Sequence, residues 1–333
     1  MSRRSLWRGL YRKDFSPGEA DFTILGIPFD KGCSFREGTC SGPEYIRSSS
    51  DRNPPVTEDG AQLTASVCDM GNIPFQDVFE TQRDYFEKVQ DQVEEIFKAK
   101  YLQNDHMFPI FLGGDHSITI PLLRAIDQVY KGDEEDIAII HFDTHLDICD
   151  TLDENPLSHG STHRRGWELD VFKPEHTYFV GIRCSEAQEH NFLHGKQTNI
   201  VTAKQIFMEG PLKMAQQIAD LVGNRKTYLT LDIDVLDPAF APGTGTPVAG
   251  GLSSRELLIM LEELSKLNLI GMDLVEVSPP WDNSEITLYS AQKIIFEMMG
   301  YMAPKDKKGD SILNQFSLKQ TGSFNYQYYD SQA

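Results

Sequence analysis

The sequence lacks the features of a membrane protein and of a secreted protein. No apolar run approaches the roughly 18 residues that a transmembrane helix needs. The basic residues 1–8 lead into no apolar segment, so we expect no secretory signal. The 5 cysteines are odd in number and form no C-x-x-C pair, which indicates reduced thiols. These absences predict a cytoplasmic protein that does not enter a membrane.

Positive charge is also scarce. The chain has 31 Lys and Arg against 50 Asp and Glu, which gives a formal net charge of -19 at pH 7. Nucleic-acid binding relies on Lys and Arg side chains that neutralise phosphates, so we expect no nucleic-acid partner. The negative charge is compatible with a small cationic substrate, which the field of the protein would attract.

Strand and helix patterns alternate along the chain. Short apolar segments such as 22–29, 109–112 and 227–231 predict strands. Segments 81–104 and 254–266 carry apolar residues at helical spacing. Such alternation is typical of a parallel sheet covered by helices on both faces. We therefore predict a three-layer α/β/α fold with a mostly parallel central sheet.

A single domain accounts for most of the chain. Because the sequence has neither an internal repeat nor a linker, we predict one domain over residues 1–304, with 1–20 as an N-terminal extension. Beyond residue 304 the composition changes to polar residues interspersed with aromatics, which predicts a C-terminal tail over 305–333. The tail is either disordered or, because of its aromatics, an arm that packs on a neighbouring subunit.

Ionisable residues cluster where three predicted strands end. They are Asp143, His145 and Asp147 after the apolar run 137–140, Asp232 and Asp234 after 227–231, and His116 after 109–112. Alternate residues of a strand point to one side, and the carboxyl ends of parallel strands share one edge of the sheet. Burying such groups is costly unless a metal ion is bound. The sequence therefore predicts a metal site at this edge.

Five segments resemble the ureohydrolase family of arginases and agmatinases. They read GGDHSIT at 113–119, HFDTHLD at 141–147, SHGS at 158–161, LTLDIDVLDPAFAPGTGTPVAGGLSSRE at 229–256 and DLVEVSPPWD at 273–282. Their order and spacing extend the resemblance over residues 20–302. The resemblance implies an arginase-like fold and an amidinohydrolase, which cuts a guanidino compound into urea and an amine.

The resemblance also implies two Mn²⁺ per chain. His116 and Asp147 would bind one ion and His145 and Asp234 the other, while Asp143 and Asp232 would bridge them. Two divalent ions carry enough positive charge to turn a shared water into hydroxide near neutral pH, and a guanidinium carbon needs such a nucleophile. Carboxylates with a minority of imidazoles suit Mn²⁺, although Ni²⁺, Co²⁺ and Fe²⁺ stay open.

Further residues are implied in catalysis and substrate binding. His159 would transfer protons and help the amine to leave, a role that suits a side chain titrating near neutral pH. Glu276 would accept the guanidinium through paired hydrogen bonds, and Thr246 would contact the departing urea. Asp147 counts as catalytic as well as a ligand. His163 has no counterpart in the family motif, and we predict it in a loop or at the rim.

Agmatine, hydrolysed to putrescine and urea, is the predicted substrate. In arginases an Asn two residues beyond the last Asp of the D-x-H-x-D segment helps to hold the α-carboxylate of the substrate, and Cys149 stands at that position here. The nearby acids Asp150, Asp153 and Glu154 would favour a far ammonium over a far carboxylate.

Other interpretations stay open. Arg164 or Arg165, if turned inward, would favour a guanidino acid such as 4-guanidinobutyrate, and free guanidine, alkylguanidines and arginine are further candidates. An inactive regulatory homologue would require lost ligands, whereas all six ligand positions are occupied by ligand-type residues. By resemblance we predict a homotrimer or homohexamer.

Overall fold

The fold is built on one sheet in which all neighbouring strands are parallel. The computed structural model of the protein describes residues 6–311 and Leu313. Within them the sheet has 8 strands in the order 2-1-3-8-7-4-5-6. The strands are β1 Phe22–Ile27, β2 Val67–Asn72, β3 Phe108–Gly113, β4 Ile137–Phe142, β5 Phe172–Ile182, β6 Asn199–Thr202, β7 Thr227–Asp232 and β8 Leu269–Val275.

The α-helices of the described residues follow the strands in the chain. They are α1 Gly42–Ser48, α2 Gln82–Leu102, α3 Thr119–Tyr130, α4 Thr162–Gly166, α5 Ala187–Leu193, α6 Ala203–Glu209, α7 Pro211–Val222, α8 Ser254–Leu264 and α9 Ile286–Met302. None of these helices combines the length and the apolar character that crossing a bilayer requires.

Alternation along the strands produces the three layers. In β1, Phe22 and Ile24 belong to a core that includes buried residues of α1, α6, α7, α8 and α9. Leu25 and Ile27 belong to a second core with α2 and α3. Successive strand residues point to opposite faces, so a strand that is apolar throughout is covered by helices on both sides. The predicted α/β/α architecture is confirmed.

The two edge strands were not predicted. β2 contains Asp69, Gly71 and Asn72 and alternates between half-buried and exposed positions after its first two residues. β6 has no fully buried residue. Edge strands are commonly short and polar, which discourages pairing with another chain, and that composition weakens the apolar signal from which strands are predicted.

The N-terminal extension packs on the domain. Trp7 is fully buried in the core beside α9, where its ring lies 6.3 Å from that of Phe296. Its Nε1–H donates to Asp69 Oδ2 at 2.7 Å, and its backbone N–H donates to Ser50 Oγ at 2.9 Å. The described part of the extension is therefore a component of the domain.

The first residues of the predicted tail also contact the domain. The carbonyl of Lys307 accepts from the N–H of Thr64 at 2.9 Å, and the N–H of Gly309 donates to the carbonyl of Gln62 at 2.9 Å. Residue 312 and residues 314–333 lie outside the described residues. The choice between a disordered tail and an arm therefore stays a prediction.

A close approach between two loops brings the predicted ligands together. A Cβ atom at Gly114 would overlap the carbonyl of Phe29, which accepts the N–H of Asp115 at 2.8 Å. Only glycine allows the segments after β1 and β3 to lie this close. The segment after β3 then reaches His116 at the edge where β8, β7 and β4, its successive neighbours in the sheet, also end.

Candidate metal centre

Imidazole and carboxylate ligands meet at the carboxyl ends of these central strands. Two of the groups whose ligand atoms all lie within 4.8 Å of one another combine predicted ligands only: His116 with Asp143 and Asp232, and Asp143 with His145 and Asp234. Asp143 belongs to both groups, which is the arrangement that a bridging ligand requires. All of them except the half-buried His145 are buried.

The ring of His116 faces three carboxylates. Its Nδ1 lies 3.0 Å from Asp143 Oδ2, 3.2 Å from Asp147 Oδ2 and 3.3 Å from Asp232 Oδ2. Two ligands of one metal ion, each about 2.1 Å from it, lie at such separations. The four side chains therefore form a plausible coordination sphere on this side of the site.

His145 occupies the opposite side. Its Nδ1 lies 3.3 Å from Asp143 Oδ1 and 3.3 Å from Asp234 Oδ2. Asp232 connects the sides less directly, because its Oδ1 accepts the backbone N–H of Asp234 at 2.7 Å while its Oδ2 faces His116. The geometry therefore fits bridging by Asp143 most clearly.

A chain of hydrogen bonds determines which nitrogen of His116 carries the proton. Nε2 lies 2.8 Å from Thr230 Oγ1, and that hydroxyl donates to Asp273 Oδ1 at 2.7 Å. Since the hydroxyl proton is engaged, Oγ1 accepts from Nε2–H, and Nδ1 carries a lone pair. That lone pair and Asp143 Oδ2 have no hydrogen-bond partner although both are buried. A lone pair that faces carboxylates is repulsive unless a cation lies between them.

Buried negative charge gives a second reason to expect cations. Burial, with the charges of Asp234 and Asp143, raises the pKa of Asp232 well above its ordinary value. Burial and the charge of Asp143 likewise raise the pKa of Asp234. Arg183 does not neutralise these groups directly, since its Nη2 donates to the backbone carbonyl of Asp234 at 2.8 Å. Bound divalent cations would remove this repulsion, so the residues fit the metal pair that the family resemblance implies.

His159 lies between Glu276 and Ser34. Its Nδ1 is 3.1 Å from Glu276 Oε1, and its Nε2 accepts the backbone N–H of Ser34 at 3.2 Å. The neutral ring therefore carries its proton on Nδ1 and donates it to Glu276. Burial alone would lower the pKa of His159, but the hydrogen bond to Glu276 and the charges of Glu276, Asp147 and Asp115 raise it to about 9. Divalent cations bound nearby would oppose this rise.

Glu276 is held in a constrained conformation. Its φ of 63° lies in the left-handed region, and its N–H donates to the carbonyl of Gly114 at 2.8 Å. Oε1 accepts the N–H of His116 at 2.9 Å, whereas Oε2 is buried and has no hydrogen-bond partner. This free, buried carboxylate oxygen is suited to accept a hydrogen bond from a guanidinium N–H.

A cavity of about 170 Å³ opens beside these groups. It is lined by Ser34, His145, Asp147, Cys149, Leu152, His159, Gly160, Cys184, Ser185, Glu186, Glu189, Asp232 and Thr246. The predicted catalytic residues Asp147 and His159 and the predicted substrate contact Thr246 thus face one space. Glu276, which is hydrogen-bonded to His159, is not part of the lining.

Two acids that line this cavity were not predicted from the sequence. Glu186 and Glu189 follow β5, which neighbours β4 in the sheet. The buried Glu189 accepts the N–H of Ile148 at 3.0 Å and that of Glu186 at 2.7 Å, which joins the segment after β5 to the ligand loop. Their only sequence signal is their position just beyond a predicted strand end.

The acids that were predicted to face the far end of the substrate lie outside the cavity. Asp150 is exposed and pairs with Arg165 at 2.9 Å, and the guanidinium of Arg164 lies 3.5 Å from the centroid of the Phe192 ring. Neither they nor Asp153 and Glu154 line the cavity. The assignment of substrate discrimination to these side chains was wrong, because Asp150 pairs with Arg165 at the surface and Asp153 and Glu154 are exposed outside the lining.

The expectation for His163 was also wrong. This residue is fully buried, and its Nε2 lies 2.7 Å from Nδ1 of His141. His141 in turn approaches Asp143 Oδ2 with its Nε2 at 3.2 Å. His163 is buried because the segment after His159 continues as α4, which packs on α3.

A parallel α/β sheet that ends in clustered carboxylates and imidazoles defines a metal-dependent hydrolase. The sequence profile of the Arginase family matches residues 20–300, and the chain belongs to that family of ureohydrolases. An agmatinase from Neisseria meningitidis serogroup C is 37% identical over 294 residues, which cover 86% of this chain and 89% of the relative. An agmatinase from Bacillus subtilis is 38% identical over 288 residues, with coverage of 84% and 91%.

A solved structure agrees with these sequence relatives. The proclavaminate amidino hydrolase from Streptomyces clavuligerus superposes with a TM-score of 0.76 at 32% identity, covering 85% of this chain and 91% of that one. The predicted arginase-like fold and the family resemblance are confirmed.

Proposed function

We propose that this protein is an agmatinase, which hydrolyses agmatine to putrescine and urea. The observation that carries the proposal is the cavity in which Glu186 and Glu189 accompany the candidate metal centre. Among the described residues that line it there is no Lys or Arg. Agmatine carries a cation at each end, so its guanidinium can bind at the centre while its ammonium lies near these acids. The agmatinase relatives support the same substrate.

The proposed cofactor is a pair of Mn²⁺ ions. His116 and Asp147 would hold one ion and His145 and Asp234 the other, with Asp143 and Asp232 as bridges, and the distances around His116 and His145 support this assignment. When bound, the ions lower the pKa of water in the site and so supply the nucleophile. Ni²⁺, Co²⁺ and Fe²⁺ accept a similar donor set, so the native metal is part of the proposal.

Glu276 and Thr246 are the proposed positioning groups. The free Oε2 of Glu276 accepts a guanidinium N–H, which orients the planar group and its central carbon. Thr246 Oγ1, 3.4 Å from Asp234 Oδ2, lies in the cavity where it can contact the urea product.

His159 is the proposed proton carrier. As the C–N bond breaks, the leaving amine must gain a proton, and Nε2 of His159 delivers it from the cavity wall. The Nδ1–H bond to Glu276 keeps the exchangeable proton on Nε2 and stabilises the imidazolium form. Putrescine and urea then leave through the open side of the cavity.

The first prediction concerns the substrate. We expect kcat/KM for agmatine to exceed the values for arginine, 4-guanidinobutyrate and guanidine at least tenfold, about 1.4 kcal/mol of transition-state binding. The physical reason is that a far carboxylate would meet Glu186 and Glu189 without a cation in the lining. The measurement is urea release under saturating metal. A guanidino acid or guanidine that surpasses agmatine tenfold would contradict the assignment and leave the ureohydrolase chemistry intact.

A matched pair of variants tests the far end of the substrate directly. Glu186→Gln should lower kcat/KM for agmatine about two- to fivefold, the range of an exposed ion pair, without changing kcat/KM for butylguanidine, which has no ammonium. Asp150→Asn removes an exposed acid outside the cavity and should change neither value. Equal losses on both substrates would remove Glu186 from recognition of the ammonium.

The second prediction is a cytoplasmic homotrimer or homohexamer. Exposed apolar side chains on α6 and α7 support association, since Phe207 of α6 is 76% and Leu221 of α7 is 60% exposed. The unpaired state of the 5 cysteines supports a reducing compartment. Light scattering at micromolar concentration should give the mass of three or six chains, and a monomer would contradict the prediction. Deleting residues 312–333 tests the arm without disturbing the contacts of Lys307 and Gly309.

A further inference from the structure

Cys33 lies beside His159 and Glu276, and the proposed reaction does not use it. Its Sγ, a ring nitrogen of His159 and a carboxylate oxygen of Glu276 all lie within 4.8 Å of one another. A thiol, an imidazole and a carboxylate form a donor set that suits Zn²⁺. The dinuclear centre is different, because its ligand groups contain carboxylates and imidazoles without a thiol.

These donors have capacity to bind a cation. Glu276 Oε2 is buried and has no hydrogen-bond partner, and Cys33 Sγ makes only a long contact of 3.9 Å with Thr39 Oγ1. Burial, with the charges of Glu276 and Asp115, raises the pKa of the Cys33 thiol. The thiol therefore keeps its proton until a metal ion displaces it.

We propose that Cys33, His159 and Glu276 form an inhibitory Zn²⁺ site that is separate from the dinuclear centre, an inference that rests on the proposed function of His159 and Glu276. Binding forms a Zn–S bond and releases the thiol proton to solvent. The proton that His159 donates to Glu276 moves from Nδ1 to Nε2, where Ser34 Oγ, 2.9 Å away, accepts the hydrogen bond. The ion then coordinates the carboxylate of Glu276, which the guanidinium needs, and the imidazole of His159, which transfers protons. Neither group is then available to the substrate. Zn²⁺ at this site competes with the substrate and leaves both catalytic ions in place.

The thiol gives the two sites different preferences. Carboxylate-rich ligand sets suit Mn²⁺, whereas a thiolate favours softer ions such as Zn²⁺. Negative charge in the same region adds attraction for any divalent cation, since Asp115 and Asp147 also act on His159. Of the two sites, the Cys33 site therefore gives Zn²⁺ its larger advantage over Mn²⁺.

Co²⁺ added to the full-length, Mn²⁺-loaded protein tests the site without turnover. Thiolate coordination to Co²⁺ produces a charge-transfer absorption in the near ultraviolet. We expect this absorption in the wild type and its loss on addition of Zn²⁺. Cys33→Ser and Cys33→Ala should not show it. Cys184→Ser should retain it, and this variant is a matched control because Cys184 lines the same cavity and interacts with His145.

The absorption decides the proposal independently of the substrate. Its absence from the wild type, or its persistence in both Cys33 variants, would overturn the Zn²⁺ site. If the absorption behaves as expected while agmatine is not hydrolysed, the proposed function fails and the metal site stands.

Inhibition kinetics test the consequence. At saturating Mn²⁺, Zn²⁺ should raise KM for agmatine without lowering kcat. Cys33→Ser should keep the turnover of the wild type and raise the Zn²⁺ inhibition constant at least about tenfold, the lower end of the loss that a removed outer-sphere partner already causes. Equal inhibition of the variant would overturn the proposal. Loss of Mn²⁺ from the desalted, inhibited protein would overturn it as well, because displacement at the dinuclear centre would then explain the effect.

Discussion

Asp232→Asn is expected to lose both metal ions and to reduce urea release about 10³-fold or more, since bound metal contributes several kcal/mol to such reactions. Asp232 faces His116 with one oxygen and accepts the N–H of Asp234 with the other. An amide can keep the second contact, but it supplies no negative charge to either side of the centre. The change therefore removes ligand charge without removing the local hydrogen bond.

Elemental analysis of Mn²⁺-loaded, desalted protein measures the first effect. The wild type should contain about two ions per chain, as a two-metal hydrolase requires. Asp150→Asn should retain them, because Asp150 is exposed and pairs with Arg165 outside the cavity. A wild-type content near one ion with full activity would rule out the dinuclear centre.

The same variant should have the opposite effect on stability in the absence of metal. Burial and the charges of Asp234 and Asp143 raise the pKa of Asp232 in the folded protein. Its unfolded pKa is about 3.9, so above that pH the unfolded state loses a proton that the folded state retains, and the folded state is destabilised increasingly until the folded pKa is passed. Asparagine avoids this penalty. In EDTA at pH 7, Asp232→Asn should melt at a higher temperature than the wild type, and the order should reverse in excess Mn²⁺.

His159→Ala is expected to keep both metal ions and to lower kcat about 10²- to 10⁴-fold, the range of a positioned general acid or base. The imidazole lies in the cavity wall and is hydrogen-bonded to Glu276 and Ser34. It is not one of the candidate ligands of the dinuclear centre, which group around His116 and His145. Removing it takes away the proton for the leaving amine without opening the metal centre.

Metal analysis and steady-state kinetics on the same preparation check this expectation. Ser34→Ala is the matched control, since it retains the N–H that donates to His159 and loses only the hydroxyl, which lies 2.9 Å from Nε2. One neutral hydrogen bond is worth about tenfold in rate at most. Unchanged turnover of His159→Ala would remove this residue from the mechanism, and a loss of metal would move it into the ligand set.

Local signals in the sequence determined the strands, several helices and the candidate ligands. β7 and α8 begin at the predicted residues 227 and 254, because an apolar run or a helical period begins at a clear boundary, such as Ser253, whose side chain accepts the N–H of Glu256 at the start of α8. Asp143, His145 and Asp147 were recognisable because they alternate just beyond a buried strand. Such features depend only on neighbours in the chain, so one sequence suffices to find them.

Only the tertiary structure decided which other side chains reach the cavity. Glu186 and Asp153 are both acids in segments that follow a strand of the sheet, and no local pattern shows which of them reaches the site, yet of the two only Glu186 lines the cavity. The difference arises because β5 pairs with β4, which brings the segment after β5 to the metal centre. The burial of His163 and the meeting of Cys33 with Glu276 have the same origin. Each depends on packing between segments that are far apart in sequence. A local residue pattern carries no information on which distant segments come into contact.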